Sequence, residues 1–403
     1  MIESATHTLS QRVLNMEESA TLRMAALARK LKAEGHDVIS LSIGEPDFDT
    51  PEHIKEAAKR ALDAGHTKYT PVPGALRLRE AIVRKFARDN NLHFTPNQIV
   101  VSNGAKQSIA NLALALLDPG DEVILFAPYW VSYIEIIRLA EGVPVVLSAG
   151  IEADFKVTAD QVAAAITPRT RMVLFSSPCN PTGSVYTNAE LTEIAGAIAP
   201  HAQITIVSDE IYEYINFESR HVSIGAIESV RDRTVTVNGF SKGFAMTGWR
   251  LGYIGAPEWI AEACQKIQGQ FTSGANAFSQ EAAALALDAD MGPTEEMCQA
   301  FRQRRDMMIG LLREIPGMKV NFPKGAFYIF PDISNYFGMR HGDQRINDSD
   351  DMAMYLLETA HVATVSGAAF GAPDCIRLSY AASEDALRLA VQRIAEALAK
   401  LTS

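Results

Sequence analysis

The chain has 403 residues, 47% of them hydrophobic and 21% charged, and a formal net charge of −11. That length exceeds one comfortable core and makes two domains the expectation. The acidic balance argues against broad nucleic-acid or anionic-membrane binding, which needs a basic patch.

The opening stretch "MIESATHTLSQRV" lacks the apolar core of a signal peptide. No run of about 18 apolar residues follows it, so a cytoplasmic protein is expected. The first helical pattern is "SATLRMAALARKLKAEG". From "QIVVSNG" onward strand-like and helix-like segments alternate. The candidate strands are "QIVVSNG", "EVILFAP", "VPVVLSA", "RMVLFSSP", "ITIVSDE", "TVTVNG" and "RLGYIGA". Each is short, rich in Val, Ile or Leu, and closed by turn or polar residues. Helical patterns such as "AKQSIANLALALL" and "NAELTEIAGAIA" lie between most of them. The alternation predicts an α/β fold with a mostly parallel seven-stranded central sheet flanked by helices. After "DADMGPTEE" come a long helix, "MKVNFPKGAFYIFPDI", "ATVSGAAFG", "CIRLSYAAS" and a closing helix. They predict a smaller α+β domain that the N-terminal helix joins. The expected division is 46–292 for the large domain and 1–45 plus 293–403 for the small one. Cys179, Cys264, Cys298 and Cys375 show no CxxC spacing. They read as buried free thiols in a reducing compartment, and no metal site is expected.

Binding sites in such sheets gather at the carboxyl ends of the strands. Asn103, Asn180, Asp209, Ser241 and Lys242 sit at those ends. Lys242 is either a surface lysine or, if desolvated, a neutral amine able to attack a carbonyl. Asp209 closes an apolar run, so its carboxylate needs a partner: a helix N-terminus, or a protonated ring nitrogen. Tyr212 would share a helical face with it. Asn180 lies in "SPCNPTG", an ordinary Asn-Pro turn or an amide donor to a ligand. Gly104 and Ala105, between strand and helix, offer backbone N–H groups to a phosphate. Trp130 is a packing aromatic or a flat face for a ring. Arg377, inside the apolar "CIRLSY", needs an anion: a structural carboxylate or a substrate one. Arg250 has the same two readings, with phosphate as its possible anion.

These motifs, with "SIGEPDFDTP", "KYTPVPGALRLREAI", "SKGFAMTGWRLGY" and "GAFYIFPD", keep one order across nearly the whole chain. In that order the chain resembles the class I/II, fold-type I aminotransferases that use pyridoxal 5′-phosphate, and within them the bacterial aspartate aminotransferase branch. The resemblance implies Lys242 as the Schiff-base lysine and Asp209 as the partner of the pyridine nitrogen. It places Tyr212 and Asn180 at the ring oxygen and Trp130 on the ring. It places Gly104, Ala105, Ser241 and Arg250, with Lys106 beside them, at the cofactor phosphate. Tyr69 would reach the phosphate of a neighbouring subunit, which implies a homodimer with shared sites. Arg377 would clamp the substrate α-carboxylate, with Asn180 and the backbone of Gly44. Lys106 would meet a distal carboxylate, unless it points to solvent. Thr21 with Lys106 would accompany prephenate use.

The implied reaction is a ping-pong transfer from aspartate or glutamate to 2-oxoglutarate or oxaloacetate. Partial desolvation and the cation Arg250 are expected to keep the Lys242 amine neutral for proton transfer. Prephenate or aromatic amino transfer is an alternative, as is a β-lyase or synthase on the same fold. A non-catalytic regulator would have lost Lys242 or Asp209. A dehydrogenase would want GxGxxG, which "VVSNGAKQS" does not supply.

Overall fold

All seven predicted strands pair into one sheet in this computed structural model, which describes residues 9–218 and 220–402. Residues 1–8 of the expected small domain lie outside the described residues. The strands are β1 (Ile99–Ser102), β2 (Glu122–Ala127), β3 (Val143–Ser148), β4 (Thr170–Ser176), β5 (Thr205–Asp209), β6 (Thr234–Gly239) and β7 (Gly252–Gly255). Their order across the sheet is β1-β7-β6-β5-β4-β2-β3. Only β7 runs antiparallel to its neighbours. The carboxyl ends of β1, β2, β4, β5 and β6 therefore meet at one edge.

The near-continuous apolar runs follow from burial on both faces. Val123, Leu125, Met172, Leu174 and Val207 enter one apolar cluster, whereas Ile124, Phe126, Val173, Phe175 and Ile206 enter another. The alternation is the period of two that a strand imposes. β3 is one of the two edge strands, and of the seven it alone carries a proline and exposed valines, Val143 and Val146, as an edge tolerates.

The helices include α1 (Ala20–Ala33), α2 (Leu76–Lys85), α3 (Ala105–Leu116), α4 (Gly292–Arg313) and α5 (Glu384–Leu398). In α4 the buried residues Met297, Phe301, Arg305, Met308 and Leu312 recur every three or four positions. That spacing makes one inward stripe. α5 does the same with Leu387, Ala390, Val391 and Ile394. Both stripes join a core that also holds Leu41, Phe327, Tyr328 and Ile376. A second, three-stranded antiparallel sheet has the order β9 (Val365–Ser366), β10 (Ile376–Ser379), β8 (Tyr328–Ile329). The short strand Ile39–Ser40 pairs in parallel with Val362–Ala363, and Met24, Ala28 and Val38 pack on Ala353 and Leu357. Residues near the two chain ends thus share one core. Among the described residues no helix is long and apolar enough to cross a membrane.

Candidate active site

A cavity of about 480 Å³ opens at the carboxyl edge of the large sheet. It is lined by Thr21, Gly44, Ala105, Lys106, Trp130, Asn180, Asp209, Tyr212, Ser241, Lys242, Arg250 and Arg377. These twelve predicted residues come from segments scattered from α1 to β10. Of the remaining two, Gly104 caps α3 beside the cavity. Tyr69 stands outside it, 99% exposed.

Lys242 follows β6 in a turn and donates from Nζ to the carbonyl of Gly44. Its pKa is lowered to about 8, first by burial, then by Arg377 and Arg250, against the pull of Glu45 and Asp209. The expected cation was Arg250. Arg377 contributes more; the fold brings it from β10 into the same cavity as Lys242. The α4 residue Thr294 braces that turn by donating to Gly243 O at 2.8 Å.

Asp209 ends β5 fully inside the protein. Burial raises its pKa to about 6. Tyr133 donates to Oδ2 at 2.6 Å and the Ile211 N–H to Oδ1 at 3.2 Å, both of which pull the value down. The expected shared helical face with Tyr212 is absent: residues 210–213 form a turn rather than a helix. The aspartate side chain bonds its own backbone two residues on and so competes with helix formation. Asp209 and Tyr212 still face the same cavity. The Tyr212 hydroxyl lies 2.7 Å from that of Tyr328.

Arg377 is 1% exposed in β10. It donates to Asn180 Oδ1 at 3.0 Å and to Ser42 O at 2.5 Å. Its guanidinium stacks on Tyr328 and Phe370 at 4.6 and 5.0 Å. Among the described residues its Nε has no partner and no carboxylate lies within ion-pair reach. Of the two anions expected, the structural carboxylate is therefore missing. Burial accordingly lowers its pKa. A lone buried guanidinium is costly unless an anion reaches it. Because Asn180 uses Oδ1 on Arg377, its amide Nδ2 is left to donate into the cavity.

At the other wall Gly104 has φ +86 and precedes the first turn of α3. A Cβ there would strike the Arg250 guanidinium. Arg250 itself is left-handed (φ 57) and donates to Thr247 O at 2.8 Å. Together the Ala105 N–H, Ser241 and Arg250 make a cradle of donors that suits a phosphate. Lys106 does not project away from the site. Its Nζ lies 4.9 Å from the Trp130 ring centre, and burial, then Arg250, lowers its pKa. Trp130 stands edge-on to Tyr133. An amine for an aldehyde, a buried carboxylate for a ring nitrogen and a phosphate cradle fit pyridoxal 5′-phosphate.

The chain matches the model for aminotransferase class I and II over residues 36–394. The chain belongs to that family. It is 48% identical over 396 residues to a bifunctional aspartate aminotransferase and glutamate/aspartate-prephenate aminotransferase of Petunia hybrida, covering 97% of this chain and 83% of the relative. It is 47% identical to an aspartate/prephenate aminotransferase of Nitrosomonas europaea, covering 97% and 99% of the two chains. The crystal structure of the aspartate aminotransferase of Rhizobium meliloti superposes with a TM-score of 0.95 at 41% identity, over 98% of this chain and all of that one. This aminotransferase is thus a pyridoxal phosphate-dependent transaminase acting on amino and 2-oxo acids. Several residues lining its cavity went unassigned in the sequence, among them Glu45, Ser176, Thr247, Tyr133 and Tyr328. Tyr133 lies three positions after Trp130 in "APYWVSY", one helical turn on, and that spacing was the available signal. Tyr328 offered none beyond its place in "GAFYIFPD".

Proposed function

We propose that this aminotransferase moves the amino group of L-aspartate or L-glutamate to 2-oxoglutarate or oxaloacetate. The observation that carries the proposal is Arg377, a buried guanidinium without a carboxylate partner among the described residues, opening on the cavity that holds Lys242 and Asp209. Lys106 adds a second cation to that cavity. One carboxylate on each describes a dicarboxylic amino acid.

Bound pyridoxal phosphate supplies an electron sink for the charge left on the substrate Cα. In this assignment Lys242 would be the amine for the cofactor aldehyde and, when free, the base at the substrate Cα, for which a pKa lowered to about 8 leaves a working fraction of neutral amine. Asp209 would balance a protonated ring nitrogen, Tyr212 and Asn180 would serve the ring oxygen, and Trp130 would cover the ring. Gly104, Ala105, Ser241 and Arg250 would hold the phosphate, with Lys106 at the edge. Arg377, Asn180 and the backbone of Gly44 orient the α-carboxylate. The exposed Tyr69 suits the cavity of a second copy, so a cytoplasmic homodimer with shared sites belongs to the proposal. So does the division into 46–292 and 1–45 plus 293–403, whose closure would bring Arg377 over the substrate and exclude water.

A second reading adds prephenate as acceptor. Thr21 and Lys106 both line the cavity, and both relatives named above carry prephenate in their names. Borohydride reduction of the yellow holoenzyme should fix the cofactor on Lys242, and Lys242→Ala should abolish the adduct. An adduct on another lysine overturns the assignment. A panel of aspartate, glutamate, tyrosine, alanine, and glutamate with prephenate, followed by cofactor absorbance, ranks the substrates. Release of pyruvate and ammonia without a 2-oxo acid would indicate a lyase instead.

A further inference from the structure

The turn after β5 reads Asp209-Glu210-Ile211-Tyr212-Glu213. Asp209 and Tyr212 face the cavity. Glu210 and Glu213 go the other way, into a closed group of charges, and are 0% and 5% exposed. Lys85, at the end of α2 and fully buried, pairs with Glu213 and donates to Asn90 Oδ1 at 2.7 Å. Asn90 Nδ2 donates to Glu213 Oε2, also at 2.7 Å. Ser208 and Ser223 donate to Glu210 Oε1 at 3.0 and 2.7 Å. His221 Nε2 lies 2.8 Å from Glu210 Oε2.

Two carboxylates and one ammonium leave this buried group one negative charge in excess. An imidazolium at His221 cancels it. Burial opposes that charge, but Glu210 and then Glu213 outweigh burial and Lys85 and raise the pKa of His221. Tyr214 and Tyr253 close the group, with Asp89 and Arg88 further out. Glu210, Glu213 and His221 can bring one ligand atom each within 4.8 Å of one another, but the Lys85 ammonium already supplies the cation there. The backbone transmits the arrangement forward: the Glu210 N–H donates to Val237 O and the Glu213 N–H to Glu210 O, both at 2.9 Å. Glu210 also acts on its neighbour directly, raising the pKa of Asp209.

We propose that Lys85, Glu210, Glu213 and His221 form a charge-balanced support that positions the Asp209 turn and sets the potential Asp209 presents to the cofactor ring. They are positioning residues, and the proposal rests on Asp209 being the partner of the ring nitrogen. A single uncompensated charge in so dry a site acts over a long range.

The test is a pH titration of the bound cofactor's visible band. His221→Gln leaves one negative charge and should raise the apparent pKa. Glu213→Gln leaves one positive charge and should lower it. Each shift should be roughly 0.3–1 unit. The double variant Lys85→Met with Glu213→Gln removes one charge of each sign, buries no lone charge, and should titrate like the unaltered enzyme. It serves as the folded comparison if a single variant fails to fold. Shifts in the same direction, no shift, or a displaced double variant would overturn the proposal, since a merely structural role has no charge sign. Absence of the visible band in the unaltered enzyme would instead overturn the assignment of Lys242. Thermal unfolding of the cofactor-free variants reads the structural cost separately.

Discussion

Replacing Arg377 with lysine keeps a positive charge but removes the planar fork. The guanidinium already spends NH1 on Asn180 and NH2 on Ser42 O, and two aromatic rings hold its plane. Its remaining donors, including the unpaired Nε, are fixed in direction before any substrate arrives. A carboxylate there would gain two charge-assisted hydrogen bonds, each of roughly 1.5–3 kcal/mol. A lysine ammonium can supply at most one of them, and it cannot also satisfy both Asn180 Oδ1 and Ser42 O. About 2–4 kcal/mol of transition-state binding should go, or roughly 30- to 1,000-fold in kcat/KM for aspartate and glutamate. The assay is steady-state transamination with each donor, with the visible band recorded beside it. The band should persist, because Lys242 and Asp209 are untouched. Half-transamination of an amine that lacks an α-carboxylate should change little. If Arg377→Lys stays within about threefold of the parent for aspartate, or slows both kinds of amine alike, Arg377 is not the carboxylate clamp.

Lys106→Gln should cost aspartate roughly 10- to 100-fold in kcat/KM and leave alanine nearly unchanged; equal losses would return Lys106 to a general packing role. Tyr133→Phe removes a donor that opposes the burial-driven rise and holds the Asp209 pKa at about 6. The acid limb of the pH–rate profile should move to higher pH and cofactor affinity should fall by roughly tenfold; an unmoved limb would refute the coupling. In the cofactor-free protein Lys242 titrates near 8 instead of 10.5. Between those values the unfolded chain holds the extra proton, so stability should rise with pH, by up to about 3 kcal/mol. Below about pH 8 both states hold it and the burial cost is paid in full. Lys242→Met should flatten that rise in denaturant titrations at about pH 7 and about pH 10, and an unchanged slope would refute it.

Much of this protein is legible along the chain. The seven strands announce themselves because β-branched runs closed by turn residues report local backbone preference and burial together. Lys242, Asp209 and Asn180 are legible because a parallel sheet delivers its strand ends to one edge, so residues just past those ends must meet. Tyr212 reached the site by a turn in place of the expected helix, since Asp209 binds its own backbone there. The sequence by itself determined the layers, the edge and the residue types that converge on it. Tertiary structure alone decided what each charge feels. Arg377 and Ser42, 335 positions apart, are hydrogen-bonded, and no local period encodes that. The same long closure makes Arg377 the leading cation beside Lys242 and leaves its Nε without a partner among the described residues. It also gathers Lys85, Glu213 and His221 behind the Asp209 turn. Proton affinities follow from burial and from neighbours in space, and neighbours in space are what a linear pattern does not contain.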